Sequence, residues 1–440
     1  MRLSARTWRW GLCLALVPAF PPTRLPAQST PVAFRGARII PISGPEITSG
    51  TIIVQGGKII ALGANVPVPA GAQVIDASGR VIMPGLVDTH SHIGGGAGGD
   101  LSDPIQGDVR ILDAIDPRDD GIQRAQAGGL TTVNIMPGSG HLMSGQTAYV
   151  KLRDVGSVEE MLFCRDPQRD ICGGMKMANG TNPRGAAPFP GTRGKSAALV
   201  REQFIKAQEY QRKVAAGVAD STKRPERSLE MEALVQVLEG RRVVHFHTHR
   251  ADDILTVLRL QREFGFRLVL QHVSEGWRVA NEIAAAHIPS SVIVIDAPGG
   301  KLEAVDLSLG TAAALDRAGA TFGFHTDDGI TDSRWFLRSA ALAVRAGLGR
   351  DAALRAMTIN GARMLDLESR TGSLEVGKDA DLIILSGDPF STYTHVLQTW
   401  VDGVKVFDLS DPRDALYARG GYDSIRDGIF QVHADMEDHD

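Results

Sequence analysis

The chain has 440 residues, 43% of them hydrophobic, which is enough to bury a large core and argues against disorder. Lys and Arg total 47 against 51 Asp and Glu, a net charge of −4, so nothing pulls the molecule toward nucleic acid or an anionic membrane. Three cysteines are too few for a disulfide scaffold or a thiolate zinc module, and no apolar run reaches the roughly 20 residues of a membrane span.

Arg2, Arg6 and Arg9 precede the apolar stretch Trp10 to Phe20, and Leu25-Pro26-Ala27 ends on a small residue. This order reads as a signal peptide, residues 1–27, cut after Ala27, and places the protein outside the cytoplasm, periplasmic or secreted. Pro18, Pro21 and Pro22 would break a structural helix there. Removing Arg2, Arg6, Arg9 and Arg24 with no acid leaves 43 basic against 51 acidic side chains, a net charge of −8. Cys13 leaves too, and Cys164 and Cys172 remain. A bridge between them and two separate thiols are both open readings.

Residues 28–80 alternate short β-type runs, at Gly36 to Ile40, Thr51 to Val54, Lys58 to Ile60 and Gln73 to Ile75, with Gly-rich turns. Tight turns reverse the chain, which predicts a small antiparallel sheet. From Val81 apolar strands alternate with helical segments. The eight expected strands are Val81 to Val87, Thr131 to Met136, Ala148 to Leu152, Gly174 to Met177, Arg242 to Phe246, Arg267 to Leu270, Ser291 to Ile295 and Thr321 to Phe324. Helical spacing is clearest at Asp252 to Phe264, Leu302 to Ala318, Asp332 to Ala346, and Asp351 to Asn360, the last stopped by Gly361. This pattern predicts an α/β protein with a closed (β/α)8 barrel over 81–370 and a site at the strands' C-terminal ends. β-type runs return at Asp381 to Leu385 and Val401 to Phe407, so residues 28–80 and 371–410 are expected to form one composite β-sandwich, with 411–440 as a tail.

His90 and His92 end the first barrel strand, and alternation along a strand turns both imidazoles to one side, where they can grip one metal ion. His247 and His272 follow strands five and six, and Asp327 closes the series after strand eight in His325-Thr326-Asp327-Asp328. Gly94 to Gly99 spells Gly-x-Gly-x-x-Gly, but Asp100 and Pro104 follow in place of an apolar helix, so a dinucleotide site is rejected in favour of a mobile loop near the metal. His141 follows strand two, either lining the pocket or in a surface loop.

On Pro84-Gly85-Leu86-Val87-Asp88-Thr89-His90-Ser91-His92, the later histidines, Asp327, and Gly372-Ser373-Leu374-Glu375-Val376-Gly377-Lys378-Asp379-Ala380-Asp381-Leu382, the chain resembles the amidohydrolase superfamily. His247-Thr248-His249-Arg250-Ala251-Asp252-Asp253-Ile254 brings it nearest the imidazolonepropionase-like and prolidase-like branch. The resemblance implies a β domain around a (β/α)8 barrel and a divalent metal held by His90, His92, His247 or His272, and Asp327. His247 is preferred as the strand-five ligand, with His249 second and His245 read as a buried, hydrogen-bonded histidine. Lys176 falls where many relatives carry a carboxylated lysine bridging two ions, with Lys151 as a rival. The segment Asn179 to Lys195 could cover the site; Arg184 and Arg193 read individually as solvated loop charges, with pairing to a substrate carboxylate as the alternative.

The implied chemistry is hydrolysis of a dipeptide-like or non-standard amide by metal-activated water, zinc being the expected metal in one or two ions. Asp327 would act as general base and His272 would position the oxyanion or serve as ligand. Deamination or lactone hydrolysis, or a non-catalytic exported metal-binding protein, are the rival readings. The expected partner is a small-molecule substrate, and the oligomeric state is left open.

Overall fold

The computed structural model describes residues 30–95, 99–295 and 302–420. The signal segment 1–27 and residues 421–440 of the expected tail lie outside these, as do residues 96–98 of the glycine loop.

The strands, in chain order, are β1 Val32–Ile39, β2 Ile47–Gln55, β3 Lys58–Gly63, β4 Gln73–Asp76, β5 Val81–Pro84, β6 Leu86–Ser91, β7 Leu130–Ile135, β8 Met143–Gln146 and β9 Ala148–Lys151. They continue with β10 Met175–Ala178, β11 Val244–Thr248, β12 Leu268–His272, β13 Ser290–Ile293, β14 Phe322–His325, β15 Leu382–Leu385, β16 Val396–Val401 and β17 Val404–Asp408.

Both chain ends enter one eight-stranded sheet, ordered β17-β16-β15-β5-β1-β2-β3 with β4 on β1. It is mixed where an antiparallel sheet was expected, because β4 and β5 both run parallel to β1. It is also a single sheet where a sandwich was expected, and it curls. Phe34 on β1 and Trp400 on β16 are three strands apart, roughly 14 Å in a flat sheet, yet their ring centroids lie 5.0 Å apart. Bending encloses a separate core of Val32, Phe34, Ile52, Ile82, Leu382 and Trp400.

The expected first barrel strand is two strands. Its first half, β5, pairs with β1 and β15; its second, β6, pairs with β7. Pro84-Gly85 marks the crossing, and a Cβ on Gly85 would fall 2.2 Å from the Thr131 side chain. Strands β6, β7 and β9 form one sheet, and β14-β13-β12-β11-β10-β8 another, so the described ladders do not close into one eight-stranded barrel. Two departures explain this. Strand β9 runs antiparallel to β7, and the unforeseen β8 runs antiparallel to β10. At the opposite seam, Asp327 N donates to His90 O and His92 N to Asp328 O, both 2.9 Å, tying the ends of β6 and β14.

Parallel strands β10 to β14 are buried along their length, as expected of a sheet covered on both faces. The helix Ala251–Phe264 buries Ile254, Val257, Leu258 and Leu260, and Gly265 ends it at φ 73°. The 27-residue helix Arg193–Ala219, capped by Thr192, has no counterpart in the sequence reading, although its buried residues Ser196, Val200, Phe204 and Ala207 follow helical spacing. Leu302 to Ala318 is not one helix but a turn, Leu302–Ala304, and a helix, Thr311–Arg317. Gly361 does not stop a helix. It lies within the helix Ile359–Met364, where a Cβ would press on Val87 at 3.1 Å. Cys164 and Cys172 are joined, with Cα atoms 5.1 Å apart. No helix among the described residues is long and apolar enough to cross a membrane.

Candidate metal centre

The strand ends bring six imidazoles and one carboxylate into one space. His90 ends on β6 with His92 just after it; His247 is on β11 with His249 beyond; His272 and His325 close β12 and β14, and Asp327 follows. His90 Nε2, His92 Nε2 and Asp327 Oδ1 are mutually 3.3, 3.1 and 2.9 Å apart. That is the spacing of donors sharing an ion at about 2.0–2.2 Å.

Surrounding groups hold these donors in place. His92 Nδ1–H donates to Met136 O at 2.7 Å, leaving Nε2 with its lone pair toward Asp327. Asp88 accepts from His90 N (3.0 Å), Thr326 N (3.2 Å) and Thr326 Oγ1 (2.5 Å), which pins the two strand ends together. Burial raises the Asp88 carboxyl to about 7 despite those bonds. The backbone is strained at two of the expected residues, His272 at φ 71° and Asp327 at φ 53°.

Burial, reinforced by the Lys176 charge, holds His90 well below the usual imidazole range, and burial with His247 does the same to His272. These rings are neutral, with lone pairs to offer. Burial alone would raise Asp327, but the neighbouring His90 and His272 keep it well below the ordinary carboxylate range. Among the described residues His90 Nδ1 and His272 Nε2 are buried with no hydrogen-bond partner. The donor set therefore fits a divalent ion, and three groups of residues could hold one: His90, His92 and Asp327; His90, His272 and His325; and His247, His249 and His272.

All six expected site residues are brought together. Lys176 Nζ lies 2.8 Å from His90 Nε2 and 3.1 Å from Met136 Sδ. Its rival Lys151 is elsewhere, buried against Asp379 (2.6 Å), Asp381 (3.0 Å) and Asp402. His245 is a buried, hydrogen-bonded histidine: Gln271 Nε2 donates to its Nδ1 at 3.1 Å and Tyr149 Oη lies 2.8 Å from its Nε2. Burial and the Lys176 charge push it down to about 3. His141 is buried against the Phe189 ring rather than in a surface loop. Arg193 is engaged, its Nε donating to both oxygens of Asp253 at 2.9 Å, whereas Arg184 Nε is buried without a hydrogen-bond partner among the described residues.

Two site residues escaped the sequence reading. His325 Nε2 lies 3.2 Å from His272 Nδ1, and its own Nδ1 lies 2.8 Å from Ser291 Oγ; burial lowers it to about 3. The signal was available, since His325 and Asp327 are two apart and share a face by strand alternation. Glu303, 2% exposed, faces His247 Nε2 at 3.5 Å. It had no local signal, because its segment reads as helix.

Residues 171–407 match the profile of the Amidohydrolase family. The chain belongs to this family. It is 35% identical to an amidohydrolase from Thermotoga maritima, whose crystal structure superposes with a TM-score of 0.81 over 86% of this chain and all of that one. It is 29% identical over 419 residues to amidohydrolase tasK of Hapsidospora irregularis, matching 86% of this chain and 42% of that protein, so it spans less than half of that relative. An adenosine deaminase from Xanthomonas campestris with bound zinc shares the fold at 19% identity, TM-score 0.53, over 91% of this chain and all of that one. As a member of the family the chain has the TIM-barrel-like α/β fold of divalent-metal-dependent enzymes that act on small molecules.

Proposed function

We propose that this amidohydrolase is an exported metal-dependent hydrolase of a dipeptide-like or otherwise non-standard amide C–N bond. The observation that carries the reading is the convergence of His90, His92 and Asp327, with Lys176 and His272 beside them, on buried strand ends. His90, His92, His247, His272 and Asp327 would hold the metal, with zinc as the proposed ion. Lys176, once carboxylated, would join them as a further oxygen ligand. A bound divalent ion supplies Lewis acidity, which makes water nucleophilic near neutral pH and polarises the scissile carbonyl.

The chain's own residues do the rest. Asp327 accepts the proton of the attacking water and returns it to the leaving nitrogen. Its Oδ2 lies 3.8 Å from His272 Nδ1, and His272, where it does not ligate, would hold the carbonyl oxygen as it gains charge. Arg184 is the remaining candidate to pair with a substrate carboxylate, Arg193 being held by Asp253. The Cys164–Cys172 bridge supports an oxidising compartment, as an exported protein would meet.

The test is a hydrolysis screen of the zinc-supplied protein lacking residues 1–27, across dipeptides, N-acyl amino acids, cyclic amides and lactones. Amine release from an amide is expected. Ammonia release would make the protein a deaminase, acid release without amine a lactonase. Metal uptake with no turnover anywhere would leave a binding protein.

A further inference from the structure

His272 has two candidate roles, ligand or holder of the oxyanion, and which it fills turns on the nitrogen that carries its proton. Ligation needs a bare Nε2, donation to an oxyanion a protonated one. The ring is fully buried on a left-handed backbone at φ 71°. Its Nε2 has no hydrogen-bond partner among the described residues, so the surroundings of Nδ1 decide.

Nδ1 opens a row of hydrogen bonds that crosses four strands. It lies 3.2 Å from His325 Nε2 on β14, and His325 Nδ1 lies 2.8 Å from Ser291 Oγ on β13. Ser291 Oγ lies 2.5 Å from Thr89 Oγ1 on β6, which reaches Phe324 O at 3.5 Å. None of the four side chains is more than 1% exposed, so bulk solvent does not enter the row.

Burial among imidazoles disfavours a second proton on either ring, and with one proton each the row can run in only two directions. Two groups choose between them. Asp327 Oδ2 lies 3.8 Å from His272 Nδ1, and a carboxylate attracts a proton there and repels a lone pair. At the far end Phe324 O can only accept. His272 Nδ1–H therefore donates to His325 Nε2, His325 Nδ1–H to Ser291, Ser291 to Thr89, and Thr89 to the Phe324 carbonyl. The reverse direction would bury a His272 Nε2–H with no acceptor among the described residues.

We propose that His325, Ser291 and Thr89 are positioning residues that lock His272 in the tautomer with its lone pair on Nε2, so that His272 ligates the metal rather than holding the oxyanion. The proposal rests on the metal-dependent reading above and adds to it side chains from β6, β13 and β14 that act through His272.

Zinc affinity of the metal-stripped protein, measured against a competing chelator, tests it, with circular dichroism confirming the fold. Ser291→Ala takes the acceptor from His325 Nδ1–H, and His325→Leu takes the acceptor from His272 Nδ1–H; each should weaken binding about 10–100-fold. His325→Gln returns an amide oxygen near the place of Nε2 and Thr89→Ser keeps the hydroxyl, so both should bind as the unsubstituted protein does. Equal loss in His325→Gln and His325→Leu would make His325 a ligand itself and overturn the positioning role. Undiminished affinity in Ser291→Ala and His325→Leu overturns the proposal and leaves the hydrolase reading standing, whereas no zinc uptake by the unsubstituted protein overturns both. Should the variants fail to fold, nitrogen NMR of the unsubstituted, stripped protein carrying isotope-labelled histidine reads the tautomer directly. His272 should be protonated at Nδ1, and a proton on Nε2 overturns the proposal.

Discussion

Asp327 sits at φ 53°, a conformation that asparagine and aspartate tolerate better than other side chains. Asp327→Asn therefore adds no backbone strain and keeps an oxygen toward His90 and His92. It removes the basicity that would take up a proton. Zinc should stay largely bound while kcat/KM falls about 10²–10⁴-fold, the usual worth of a positioned base. Steady-state kinetics beside metal analysis checks this, and undiminished turnover would remove Asp327 from the role. Residue by residue, the site was legible where strand alternation and strand-end position carry the information, as for His90 and His92. Lys176 and Lys151 show where it was not. Both lie on short buried strands, and what separates them is that Lys151's partners Asp381 and Asp402 lie 230 and 251 positions along the chain.

Those partners make Lys151 a tie between elements. Strand β9 lies beside β7 among the barrel strands, whereas Asp381 and Asp402 flank β15 and β16 of the composite sheet. Arg153 at 2.7 Å holds Asp402, and Lys58 (2.5 Å) and Arg370 (2.8 Å) hold Asp379. Lys151→Met would leave Asp381 a buried anion without its cation, which costs about 3–5 kcal/mol. Urea unfolding should show that loss, with zinc uptake unchanged; a stability equal to that of the unsubstituted protein would contradict the tie.

Acid should act on the same joint. Burial alone would raise Asp379, but Lys151 beside it holds the carboxyl down to about 2, below its ordinary 3.8. Its stabilisation is complete above about pH 4 and fades as pH falls toward 2. Asp402 shifts the same way, while burial pushes Asp381 the other way. Element patterns were readable where burial is continuous, as in β10 to β14. Reading failed where a long-range partner decides: the Val81 to Val87 run divides between two sheets at a glycine that only Thr131 explains, and Ala148 to Leu152 has a strand's composition but the opposite direction.

For the molecule as a whole, the net charge of −4 belongs to a precursor if residues 1–27 are removed. N-terminal sequencing of protein recovered from outside the cytoplasm should then begin at Gln28; an intact Met1 would contradict the proposed export. The scarcity of cysteine fits a centre built from imidazole and carboxylate, with both remaining thiols spent on a bridge. Family and fold class were open to reading because the strand-end motifs are spread along most of the chain, whereas the substrate depends on loops whose contacts no local pattern encodes.

Metal occupancy and amide hydrolysis, measured on one preparation, decide whether this is a metal-dependent hydrolase. The protein is stripped with a chelator, then returned stepwise to zinc while a cleaved amide is assayed. The stripped protein should show no turnover, and activity should rise with bound metal to saturation. Equal hydrolysis with and without metal, or full occupancy with no amide cleaved, would contradict it.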